Sequence, residues 1–170
     1  YRKHVVITSK YHKLKHNIHM KILVLLIALL FASISAKSQT EDMFMESESR
    51  FGFDETVKTL NETINSGGWK VLIVHDLQES MKKANKEVLP IKVFEVCNPK
   101  HSFKLLSQDE KRIYSSLMPC RFSVYEKSDG KVYISRMNTV NLSKQIGGLV
   151  EEVMTEATNE TEAFLKSVLR

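Results

Sequence analysis

Beyond its first 38 residues this chain has two cysteines and two histidines, Cys97, Cys120, His75 and His101, and its reactive chemistry rests on them. Cys97 stands directly before Asn98-Pro99, a helix start signal: Asn caps free backbone amides, and Pro is favoured at the first helical position. A thiolate beside a helix N-terminus is stabilised by the unpaired amides and the dipole, which makes Cys97 a candidate nucleophile. If one strand ends at Cys97 and its antiparallel neighbour begins at Cys120, both thiols lie at the same end of the sheet, and Cys120 becomes a candidate resolving partner. His75, beside Asp76 at the end of an apolar strand, is the candidate base, with a locally hydrogen-bonded sheet-end histidine as the plainer reading.

Three uses of the sulfurs stay open. A structural disulfide closing 22 intervening residues would contribute about 3 kcal/mol by constraining the unfolded chain. A reduced pair would serve redox chemistry or ligand binding, and two buried thiols would do neither. His101, four residues beyond Cys97, has a spacing compatible with a shared metal. Zinc, however, takes three or four protein ligands, and neither CxxC nor HExxH occurs, so no metal site is assigned. Without GxGxxG, GxxxxGK[ST] or GxSxG, nucleotide folds and α/β-hydrolase chemistry lack their warrant, and no cofactor is assigned. Asn61, Asn141 and Asn159 begin glycosylation triplets, which are frequent by chance.

The chain has 170 residues with 25 Lys and Arg against 20 Asp and Glu. Seven of the basic residues and none of the acidic ones fall within residues 1–38, which leaves 18 positive against 20 negative charges in the remainder. That balance disfavours a nucleic-acid partner. From Met20 the sequence runs through Met-Lys, an apolar stretch Ile22 to Phe31, and the small residues Ala32, Ser33, Ser35, Ala36 and Ser38. This is the three-part layout of a secretory signal peptide, 20–38, too short for a permanent membrane anchor. Residues 1–19 read as an upstream extension outside the mature protein. The expectation is an exported chain, periplasmic or extracellular, with one domain over 39–170.

The elements that must position the four residues follow from periodicity. Met43 to Arg50 alternates as a first strand. Phe53, Val57, Leu60 and Ile64 mark a helix with Asp54 and Glu55 in its first turn, ended by Gly67-Gly68. Trp69 to Val74 reads as a central strand buried on both faces. Leu77 to Val88 reads as a second helix ended by Pro90, Ile91 to Val96 as the third strand, and Pro99 to Leu106 as a third helix. Cys120 to Glu126 and Val132 to Met137 form a hairpin around Ser128-Asp129-Gly130. The last stretch is read as one long helix over about 142–169, with Ile146, Leu149, Val150, Val153, Ala157, Thr161, Phe164 and Val168 on its apolar face. Glu151, Glu152, Glu156, Glu160 and Glu162 are read as its solvated side. The order β-α-β-α-β-α-β-β-α predicts an α+β fold, helices packed on one face of a mainly antiparallel sheet, with the uncovered face a candidate for dimerisation.

His75-Asp76-Leu77-Gln78, Glu95-Val96-Cys97-Asn98-Pro99 and Leu117-Met118-Pro119-Cys120 followed by Val124-Tyr125 resemble the domain-of-unknown-function family 302, over about Phe51 to Met137. The resemblance implies a TATA-binding-protein-like arrangement without DNA binding and a homodimer. It supplies no reaction. Family members that look cytosolic and still carry the cysteine pair favour a pocket formed by Cys97, Asn98 and Cys120. Here Met118 replaces the family's usual Leu, and the Asp-Pro common after the last strand is absent around Asn138-Thr139. The leading expectation is an exported module that holds a small ligand or responds to redox state. The alternatives are a thiol oxidoreductase using Cys97 and Cys120, or a disulfide-stabilised domain without chemistry.

Overall fold

The computed structural model describes residues 43–170. The leader and the upstream extension lie outside the described residues. Five strands, β1 (Phe44–Glu48), β2 (Lys70–Asp76), β3 (Ile91–Cys97), β4 (Cys120–Glu126) and β5 (Val132–Met137), form one sheet in the order β1-β5-β4-β3-β2. Every neighbouring pair is antiparallel. The helices are α1 (Phe53–Ser66), α2 (Leu77–Lys83), α3 (Pro99–Leu106), α4 (Thr139–Lys144) and α5 (Gly148–Leu165), with a 3-10 stretch at Asp109–Leu117. The α+β class with helices on one sheet face is as predicted.

Alternation in the inner strands explains which face is covered. Phe94 and Val96 of β3, Phe122 and Val124 of β4, and Val132 and Ile134 of β5 are buried against Leu60 and Ile64 of α1 and Leu165 of α5. Each such side chain contributes on the order of 2 kcal/mol by leaving water. A second apolar cluster joins Leu105 of α3 to Val150, Val153 and Met154 of α5. At the chain end, Arg50 donates to the carbonyls of Lys166 and Leu169, satisfying acceptors that the terminus of α5 leaves free.

Three elements differ from the sequence reading. β2 is an edge strand, not a central one: Leu72, Ile73 and Val74 are 56, 47 and 39% exposed. An apolar run fits burial on two sides, whereas this strand has a neighbour on one side only and a register irregularity between Val71 and Ile73. α2 stops at Lys83 because Asn85 takes a left-handed conformation (φ 56°), so residues 84–90 are not helical. The long C-terminal helix is two helices. Gly147 and Gly148 have φ of 74° and 60°, backbone that breaks an α-helix and favours glycine.

Gly130 takes φ 75° in the β4–β5 turn, as the hairpin reading requires. Among the described residues no helix is long and apolar enough to cross a membrane.

Candidate functional site

The antiparallel register brings the two cysteine positions to the same end of the sheet. Cys120 opens β4 opposite Val96, and Cys97 is the next residue of β3, paired on its other side with Lys70 of β2. Both are half-buried and neither is bonded to another cysteine. They line one small cavity of about 30 Å³, together with Asn98, Met118, Met154 and His101. A larger cavity of about 150 Å³ adjoins it. The two share Leu117, Pro119, Cys120 and Ala157, so Cys120 stands in the wall between them.

The start of α3 fixes Cys97. Asn98 caps the helix as its sequence suggested: its Oδ1 accepts from Lys100 N at 3.0 Å, while its carbonyl accepts from His101 N and Ser102 N. The first-turn amides are therefore spent on Asn98, and Pro99 has none to offer, so these donors do not serve the Cys97 sulfur. Cys97 Sγ lies 3.0 Å from Ser102 Oγ, and Ser102 Oγ in turn donates to the Asn98 carbonyl at 3.2 Å. With that hydroxyl proton engaged, the thiol is the donor in the Cys97–Ser102 pair. Burial, reinforced by the neighbouring Cys97, pushes the Cys120 thiol up to about 11, so it is held neutral.

Asn98, a predicted binding residue, has little left to give a ligand, since its Nδ2 donates to Glu160 Oε2 at 3.4 Å. His75 is not at this site. It pairs with Val93, four residues from Cys97 along β3, about 13 Å at the strand rise. Its Nε2 contacts Glu95 at 3.2 Å instead. Asp76 beside it caps α2 by accepting from Glu79 N at 2.8 Å.

His101 is the histidine the fold brings to the thiols. It is 4% exposed, stacked obliquely near Trp69 with ring centroids 5.6 Å apart. Its Nε2 lies 2.8 Å from Glu160 Oε2, the oxygen that also accepts from Trp69 Nε1 at 3.0 Å. Its Nδ1 is buried without a hydrogen-bond partner, 3.6 Å from Glu156 Oε2. Partial burial works against ionisation of Glu160, but the His101 and Trp69 hydrogen bonds outweigh it and hold the carboxyl below its ordinary value. Lys104, donating at 2.8 Å, lowers Glu156 in the same way.

Two of the five glutamates read as a solvated helix side thus anchor the site, and a third, Glu162, binds Arg136 in the larger cavity. Arg136 is 8% exposed and donates through Nε and Nη2 to Glu162, both at 2.6 Å, and through Nη1 to Ser47 Oγ at 3.1 Å. The i, i+4 spacing of Glu156 and Glu160 put them on one helix face, but their partners are 52 to 91 residues away in sequence. No local pattern names such partners.

Comparison with known proteins agrees with this architecture. A curated Aquifex aeolicus protein described as uncharacterized is 24% identical over 151 residues, spanning 86% of this chain and 94% of its own. The crystal structure of an uncharacterized conserved DUF302 protein from Bacillus stearothermophilus superposes with a TM-score of 0.66 at 21% identity, covering 73% of this chain and 96% of that one. The match to the family described as Domain of unknown function DUF302 runs over residues 45–170, past the 51–137 of the sequence resemblance and through α5, which supplies Glu156 and Glu160. With most of its length matched in this way, the chain belongs to the DUF302 family.

Proposed function

We propose that this protein is an exported, dimeric, non-hydrolytic binding module that takes a small ligand, or responds to redox state, where Cys97 and Cys120 meet. One observation carries the reading: the two thiols line a single cavity that shares a wall with a larger one. The leader pattern of residues 20–38 supports export. The oxidoreductase alternative loses its proposed base, because His75 sits at the other end of β3.

Dimerisation is better supported by the β2 edge than by the uncovered sheet face. That face carries charged ladders, among them Glu95 with His75 and Arg121 and Glu46 with Lys127. The β2 edge instead exposes Leu72, Ile73 and Val74. Antiparallel pairing of two copies about Ile73 sets Lys70 of one opposite Asp76 of the other, twice, so the strand is complementary to itself in charge.

The site is tested by mass spectrometry of the exported protein with and without reduction, combined with the rate of alkylation at each cysteine. Coupled behaviour, in which modifying one thiol protects or exposes the other, is expected. Two thiols that react independently at free-cysteine rates would overturn the reading. For the dimer, light scattering of Ile73→Lys is expected to give a monomer from a wild-type dimer, and an unchanged mass would remove the edge from consideration.

A further inference from the structure

Four of the eight sulfur-bearing residues among those described surround the small cavity: Cys97, Cys120, Met118 and Met154. The remaining wall is largely apolar, with Trp69, Val96 and Val153, so water competes poorly there. His101 also lines the wall, but its Nε2 is held by Glu160 and its Nδ1 lies 3.6 Å from Glu156, so it is not counted among the donors.

The donor types select the ion. Among the described residues no three of His, Cys, Asp and Glu gather as a metal-binding set, so zinc would fall short of its three or four protein ligands. Calcium and magnesium need oxygen shells that this wall does not offer. Two thiolates with thioether support are instead the donor set of a soft monovalent ion, which is content with two or three sulfurs.

We propose that the small cavity binds one soft monovalent metal ion, Cu(I) in chemical class, through Cys97 and Cys120 with Met118 or Met154 as thioether donor. This deepens the proposed function and rests on it. As each thiolate–metal bond forms, the corresponding S–H bond gives its proton to solvent, and no electron is transferred. Binding therefore competes with protons.

The test uses the whole chain, reduced under anaerobic conditions and titrated with Cu(I) against a chromogenic chelator, with Ag(I) as a redox-inert second probe. The expected result is one ion per chain, loss of at least 100-fold in affinity in both Cys97→Ser and Cys120→Ser, and a loss of about tenfold in Met118→Leu or Met154→Leu. The methionine variants conserve apolar volume, so they keep the test valid should a serine variant fail to fold. X-ray absorption of the loaded protein should show a shell of two or three sulfurs. Equal affinity in wild type and in the double Met118→Leu, Met154→Leu variant, or more than one ion per chain, would mean adventitious thiol binding and overturn the proposal. If the metal fails to bind while the two thiols still show coupled alkylation, the metal assignment falls and the cavity reading stands. Independent, free-cysteine alkylation removes both.

Discussion

Replacing Glu160 by Ala isolates the contact that ties α5 to α3 and to Trp69, the residue before β2. It removes the acceptor of two buried donors, Trp69 Nε1 at 3.0 Å and His101 Nε2 at 2.8 Å, whose residues are 3 and 4% exposed. A buried polar group left unpaired costs about 1–3 kcal/mol, so the pair sets a range of about 2–6 kcal/mol. Glu160 is itself about one third exposed, and water reaching the space it vacates will satisfy part of that need. The expected loss is therefore about 2–3 kcal/mol. Urea unfolding followed by fluorescence is a direct assay, because Trp69 is the chain's only tryptophan and lies in the contact. With a slope of about 1.5 kcal/mol per molar, the midpoint should fall by roughly 1.3–2 M. The pH dependence has a definite sign. The folded-state carboxyl lies below its ordinary 4.5, so its ionisation stabilises the protein fully above that value, and the stabilisation is lost as pH falls through the lower folded value. The gap between wild type and Glu160→Ala should narrow in that acidic window. A midpoint shift under about 0.3 M, or a gap that widens in acid, would refute the argument from unpaired donors.

Three other perturbations are open to measurement. Arg136→Met should cost about 1–2 kcal/mol in urea unfolding, because Glu162 loses both donors but is one third exposed and regains water, and the double change Arg136→Met, Glu162→Met should recover much of it. With its thiol pushed up to about 11, Cys120 should alkylate at pH 7.5 at least about 100-fold more slowly than a small free thiol; a rate within threefold would contradict its burial. Gly147 has φ 74° and ψ −177°, a region open almost only to glycine, so Gly147→Ala should lower stability by about 1–3 kcal/mol, whereas the same change at Gly52, in extended backbone with open space around it, should do far less. Thermal unfolding of the two variants side by side decides that point.

Short-range patterns were sufficient for most of the fold. Alternation of Phe94 and Val96, Phe122 and Val124, and Val132 and Ile134 defined strands and their core face, because side chains in a strand repeat every two residues whatever lies around them. Asn98-Pro99 announced α3, and Gly130 announced the hairpin, since capping and positive φ are properties of a few adjacent residues. The misreadings came where a local pattern has two tertiary meanings. The apolar run of β2 suits a sheet centre, yet the same composition occurs here on an exposed edge, and only strand order separates the two. The apolar stripe running through Ile146 concealed the break at Gly147-Gly148.

The site divides along the same line. That Cys97 and Cys120 lie at the same end of the sheet was legible in the sequence, because two adjacent antiparallel strands, one ending and one beginning, must put those positions there. Which histidine accompanies them was not legible. His75 and His101 each stand next to an element boundary, and nothing near either of them says that α5 will lay Glu156 and Glu160 against the second. Sequence by itself determined most of the elements, the class of fold and the sheet end that the two cysteines share, all of which follow from interactions within or between adjacent segments. Tertiary structure alone decided the edge position of β2, the burial of His101 and the pairing of Arg136 with Glu162. Those depend on how distant segments exclude water from one another, and a charge or apolar residue does not carry that information until its partner has arrived.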